Sequence, residues 1–112
     1  MQFNKKILNN VVIFYIIGRL DVHTSSFLET EIQSIIKEYP NHNLILNFND
    51  VEYMSSTSIR ILIHIHNELE KNGLILKICS MNSIVKEVLK ITGLISSFEI
   101  FDNEEDALQS FQ

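Results

Sequence analysis

The sequence predicts one α/β domain built on a mostly parallel sheet. Three observations carry this. Short β-branched and aromatic runs recur along the chain, apolar segments of helical period separate them, and 112 residues hold one core but not two. Hydrophobic residues at 46% suffice for that core, and charged residues at 21% keep its surface solvated. A single domain over residues 1–112 is expected.

Residues around Phe3 to Leu8 form a short first strand, joined through the turn dipeptide Asn9–Asn10 to a second. That second strand is the β-branched and aromatic run Val11–Val12–Ile13–Phe14–Tyr15–Ile16–Ile17, which Gly18 closes. Thr24, Ser25 and Ser26 offer caps for a following helix, and Ser26 with Glu29 fits a capping box. Phe27, Leu28, Ile32, Ile35, Ile36 and Tyr39 then recur at helical spacing until Pro40 ends the segment. Leu44–Ile45–Leu46–Asn47–Phe48 reads as a buried strand. After a short connection, a second helix runs from about Ser55 to Lys71 and stops at Asn72–Gly73. Leu74 to Cys79 is the next strand, and Asn82 caps a third helix with Ile84, Val85, Val88 and Leu89 on one face and Gly93 past its end. Phe98–Glu99–Ile100–Phe101 is a short strand, and Asn103 opens a last helix carrying Ala107, Leu108 and Phe111. Glu104, Glu105 and Asp106 suit its first turn, where the helix dipole favours acids.

Composition excludes several functions. Lys plus Arg total 9 against 14 Asp plus Glu, a net charge of −5 that repels nucleic-acid phosphates. No apolar stretch approaches the about 20 residues of a membrane helix, and Met1 to Asn10 carry no signal-peptide pattern, so a cytoplasmic protein is expected. Cys79, the single cysteine, sits in an apolar run as a small hydrophobe. His64 and His66, at i and i+2 on a helix, point to opposite sides, and His23 and His42 lack the spacing of a zinc site. No metal and no cofactor are expected. With no phosphate loop, nucleophile elbow or Cys/His pair, nor an enzyme.

The segment Tyr53–Met54–Ser55–Ser56–Thr57–Ser58–Ile59–Arg60 places four hydroxyl residues where a strand gives way to a helix. One cap, worth about 1 kcal/mol over alanine, needs one hydroxyl and leaves three unexplained. The first turn of a helix presents unpaired N–H groups and the positive end of the macrodipole, which favour anions. A phosphoryl group on a hydroxyl there brings about −1.5 to −2 charges into one patch, enough to dislodge a docked partner without catalytic groups of the domain's own.

These residues resemble the helix-start motif of the bacterial anti-sigma factor antagonists, the STAS fold. The motif is Asp-Ser-Ser/Thr-Gly-Leu-Gly after an aromatic–apolar pair. Aligned on Tyr53–Met54, Ser55 takes the Asp place, Ser56 the first Ser, Thr57 the phosphoacceptor, Ser58 the Gly, Ile59 the Leu and Arg60 the second Gly. Gly18–Arg19–Leu20–Asp21 with His23–Thr24 looks like the family's Gly-x-Leu-Asp-x-x-Thr loop, Leu44 to Asn47 its buried strand, and Thr92–Gly93–Leu94 its turn after the third helix. The resemblance covers nearly the whole chain. It implies a four- to five-stranded mixed sheet, the first strand antiparallel, with helices packed mainly on one face. It implies a partner-switching regulator, phosphorylated at Thr57, or at Ser56 if the register slips by one. The implied partners are an anti-sigma factor with Ser/Thr kinase activity, which binds the ATP, and a protein phosphatase; a monomer or weak dimer is expected. The lost Asp and the two replaced glycines point toward a second reading, a scaffold or accessory subunit without a phosphate cycle, as in a stressosome-like or transport complex.

Residues implied for partner contact are Asp21, His23, Thr24, Ser55, Ser58, Arg60 and Ile61. At 100° per residue, Ile59, Leu62, Ile63, His66 and Leu69 fall on one side of the second helix, and Thr57, Arg60, His64, Asn67, Glu68 and Lys71 on the other. Arg60 follows Thr57 by three and Ser56 by four, within reach of a phosphoryl group on either or of an acidic partner residue. Ile61 projects among the polar residues as an apolar anchor. Asp21 either lines this surface or steadies the helix start behind it.

Overall fold

A computed structural model describes all 112 residues. In chain order the elements are β1 (Gln2–Leu8), β2 (Val11–Leu20), α1 (Ser25–Glu38), β3 (Asn43–Met54), α2 (Ser56–Lys71), β4 (Leu76–Cys79), α3 (Ser83–Ile91), β5 (Glu99–Phe101) and α4 (Glu104–Gln109). The sheet has the order β1-β2-β3-β4-β5, with β1 antiparallel to β2 and every other pair parallel. Asn9 turns the β1–β2 hairpin with φ at 55°, a conformation Asn tolerates.

Each parallel neighbour follows the last in sequence, so right-handed crossovers put α1, α2 and α3 on one face. Their apolar residues join the sheet in a core of 22 buried residues that includes Phe14, Phe48, Leu28, Ile32, Leu62, Ile65, Val85 and Leu89. Each such side chain contributes about 1.5–3 kcal/mol on leaving water. Only α4 covers the other face, where Ala107 packs with Val11, Ile13, Ile45 and Cys79. Cys79 is fully buried, and that burial pushes its thiol pKa up and leaves it unreactive.

Two strands outrun their sequence signals. Gly18 does not close β2, which continues to Leu20, and β3 extends beyond Phe48 to Met54 in place of the expected short connection. The extra rungs pair Gly18 with Val51, Arg19 with Tyr53 and Leu20 with Met54, after register shifts that flank Gly18. Gly18 holds φ at 126°, which L side chains rarely adopt. Those irregularities break the apolar alternation, and the polar run Asn49–Asp50 hides the strand that carries it.

Helix α1 also differs from expectation. Ser26 is not its cap: the helix begins at Ser25 after Thr24, and the Ser26 hydroxyl donates to the His23 carbonyl. Phe27, counted on the apolar face, is 59% exposed.

Candidate functional site

The extended β2 and β3 deliver two turns to one end of the sheet: the loop Asp21–Thr24 leading into α1, and the first turn of α2. Ser55 alone separates β3 from α2. Its backbone is extended, and its hydroxyl accepts from the Ser58 N–H at 3.3 Å, which makes it the helix cap. Its own N–H donates to the Leu20 carbonyl at 2.8 Å, tying the helix start to the end of β2.

The four hydroxyls of the run divide into two pairs. Ser58 is fully buried and Ser55 nearly so, which corrects the expectation that both meet a partner. A residue two places past the first helical position faces back over the strand end, where no partner reaches. Ser56 is exposed and Thr57 half-buried, and neither hydroxyl is bonded within the chain. Beside them the helix leaves its first N–H groups without intrahelical partners. Arg60 is exposed one turn along, outside every ion pair of the fold.

The loop is internally braced. One Asp21 carboxylate oxygen accepts from the N–H groups of His23 and Thr24, each at 2.9 Å, while the Thr24 hydroxyl accepts from the Asp21 N–H at 2.9 Å. The Thr24 hydroxyl itself donates to the Arg19 carbonyl. The backbone N–H of Thr24 is the main cause that holds the Asp21 carboxyl below its ordinary pKa. Asp21 is therefore a brace of the loop, leaving its backbone conformation and the exposed His23 as the presented features. Arg19 lies against the ring of Tyr53, 4.9 Å from its centroid, at the edge of the same surface.

Sequence reasoning missed Ser25. It is fully buried, with its hydroxyl 2.6 Å from that of Ser58, so it joins the starts of α1 and α2. The signal was present in Thr24–Ser25–Ser26 but indistinguishable from spare capping residues. Ile61 is half-buried against the core, not a free anchor. The buried stripe of α2 is Ser58, Ile59, Leu62, Ile65 and Leu69, so Ile65 replaces Ile63 and His66 at its centre. His66 lies 3.3 Å from Glu70 and His64 3.6 Å from Glu68, on separate parts of the helix.

The largest concavity, a groove of about 700 Å³ between α1 and α2, is lined by Ile36 and polar residues such as Gln33 and Glu68, and none of the hydroxyl run enters it. No three His, Cys, Asp or Glu side chains gather as a metal set, and no helix is long and apolar enough to cross a membrane. What the arrangement offers is a braced loop beside a helix start that carries two free hydroxyls.

The chain belongs to the STAS domain family, whose model matches residues 2–107. It is similar to the anti-sigma F factor antagonist of Paenibacillus polymyxa, 23% identical over 112 residues, all of this chain and 96% of that one. Among solved structures it resembles an anti-sigma factor antagonist from Mycobacterium paratuberculosis, with a TM-score of 0.86 at 21% identity over 97% of this chain and 92% of the other. It also resembles the Bacillus anti-sigma factor antagonist SpoIIAA. The unphosphorylated form gives a TM-score of 0.81 at 21% identity, covering 98% of this chain and 96% of that one. The phosphorylated form gives 0.72 at 19% identity, covering 99% and 100%. At these identities the structural likeness establishes the shared fold.

Proposed function

We propose that the domain is a cytoplasmic anti-sigma factor antagonist that works by partner switching. Unphosphorylated, it binds a kinase-type anti-sigma factor and frees the sigma factor; phosphorylated at Thr57 or Ser56, it is released. The observation that carries this reading is the division of labour among the four hydroxyls: Ser55 and Ser58 are buried and bonded, while Ser56 and Thr57 are accessible and unbonded. A phosphoryl group on either free hydroxyl meets the open N–H groups of α2 and comes within reach of Arg60. It adds about −1.5 to −2 charges to a domain already at −5, so a partner docked there is repelled. A protein phosphatase restores the binding form. ATP occupies the partner.

SpoIIAA, described in both phosphorylated and unphosphorylated forms, supports this reading. Ser55 still caps the helix on which the two free hydroxyls stand. Incubation with the cognate kinase and ATP, followed by intact-mass measurement, tests it. One added phosphoryl group is expected, lost in Thr57→Ala or in Ser56→Ala, whichever removes the acceptor. Thr57→Glu or Ser56→Glu is expected to weaken binding to the anti-sigma factor at least about tenfold, 1.4 kcal/mol. No added phosphate, with binding indifferent to both Glu variants, establishes instead the scaffold role that the replaced Asp and glycines suggest.

A further inference from the structure

Beneath the acceptor turn lies a hydroxyl cluster that joins the cap Ser55 to two side chains, Ser25 and Ser58, whose hydroxyls neither capping nor phosphorylation uses. The Ser58 hydroxyl stands 2.6 Å from that of Ser25, 3.2 Å from that of Ser55 and 3.0 Å from the Leu20 carbonyl. Ser25 in turn donates to the Asp21 carbonyl, which also accepts the Ser25 N–H at 3.0 Å. Ser25 and Ser58 are both fully buried. The cluster therefore spans the end of β2, the braced loop, the start of α1 and the start of α2.

Counting protons narrows its states. Three hydroxyls supply three protons to four O···O contacts: Ser25–Asp21, Ser25–Ser58, Ser58–Leu20 and Ser55–Ser58. A 2.6 Å contact between Ser25 and Ser58 needs a proton between the two oxygens. The Ser25 proton lies on the Asp21 carbonyl, so Ser58 supplies the proton between the two hydroxyls, and the order runs from Ser58 to Ser25 to the Asp21 carbonyl. A buried hydroxyl is costly unless it is bonded, and each of this pair also has a carbonyl beside it, Asp21 for Ser25 and Leu20 for Ser58.

We propose that the Ser25–Ser58 pair is a positioning device, holding the Asp21–Thr24 loop and the first turn of α2 at one fixed spacing so that a partner reads them as a single surface. The proposal rests on the reading of Ser56 or Thr57 as acceptor and explains what Ser58 does where the family has glycine. It assigns recognition, not phosphoryl transfer, to the buried pair, because neither side chain reaches the surface.

The test is a double-mutant cycle of Ser25→Ala and Ser58→Ala, read in stability and in recognition. Each single variant removes the shared bond and lowers the unfolding midpoint, Ser25 keeping the Asp21 carbonyl and Ser58 the Leu20 carbonyl, and the second alanine costs less than the first because that bond is already gone. Recognition is lost with the pair: in the double variant KM for phosphorylation by the cognate kinase rises roughly tenfold while kcat is unchanged. A double variant with wild-type KM overturns the proposal, as does a loss confined to kcat. Amide exchange supplies a readout independent of any kinase. The His23, Thr24 and Ser25 amides are expected to exchange about tenfold faster in both Ser58→Ala and the double variant, with β1 and α3 unchanged. Unchanged loop exchange overturns the coupling even where phosphorylation is observed. Faster loop exchange in a protein that no kinase modifies upholds the coupling and removes only the reading of the acceptor.

Discussion

The Lys77 ammonium lies 3.9 Å from the centroid of the Phe111 ring, although Lys77 is only 3% exposed. Phe101, the Ser110 hydroxyl and Glu99 complete its surroundings, the carboxylate at 3.8 Å. A cation buried among two aromatic rings fastens the turn after α4 to the face of the sheet that α4 covers. Phe111→Ala is expected to lower stability by about 1–3 kcal/mol, since it removes both the ring area and the cation's partner. Lys77→Met keeps the stem and drops the charge, and is expected to cost less than about 1 kcal/mol. Urea unfolding of the two variants tests the order.

On the same face, the Tyr15 phenol donates to Glu104 at 2.7 Å, and the Asn47 amide donates to the same oxygen at 3.0 Å. Burial, and then the bond and charge of Glu104, push the Tyr15 pKa up from 10.0 to about 12. A folded pKa above the unfolded one means that the folded state holds its proton longer. The stabilisation is complete below pH 10 and is lost as pH rises through about 12. Wild type and Tyr15→Phe, compared by denaturant unfolding, are expected to differ most below pH 10 and to converge toward pH 12.

Ser55 caps α2 through the Ser58 N–H. Ser55→Ala is expected to cost about 1 kcal/mol, and Ser55→Asp, which keeps an acceptor at the helix start, to retain most of it. Thermal unfolding of the three proteins decides the matter.

Asp21 braces its loop only as the carboxylate. Because its folded pKa lies below the ordinary 3.8, its contribution is present above that pH and lost as pH falls through the lower folded value. Two-dimensional NMR of the His23 and Thr24 amides down an acid titration is expected to show the loop loosening at a pH below 3.8. Asp21→Asn, whose side chain offers a weaker acceptor, is expected to show loosened loop amides already at neutral pH.

Much of this was legible in the chain. The strand of Val11 to Ile17, the caps Asn82 and Asn103 and the glycines at 73 and 93 announce themselves through local chemistry, and each stands where the structure puts it. Beyond Gly18 and Phe48 the local code fails. Register shifts there remove the period-two pattern, and pairing between distant strands decides the outcome. The hydroxyl run was visible as a site, but its division was not. Whether Ser58 looks outward or down depends on Ser25 and on the Leu20 carbonyl, 33 and 38 residues away in sequence. Glu104 read as an ordinary first-turn acid for the same reason, its partner Tyr15 being 89 residues distant.

Strand β3 passes into α2 with a single intervening residue, so the turn bearing Ser56 and Thr57 is mounted on the middle of the sheet. A turn that is already part of a strand and a helix gives up less chain freedom on docking than a loop would. Encounter is then limited by how often two surfaces collide in the right orientation, and by the ionic strength that screens their fields. On the proposed reading, the charge is added and removed at a turn that a central strand and a helix hold on either side.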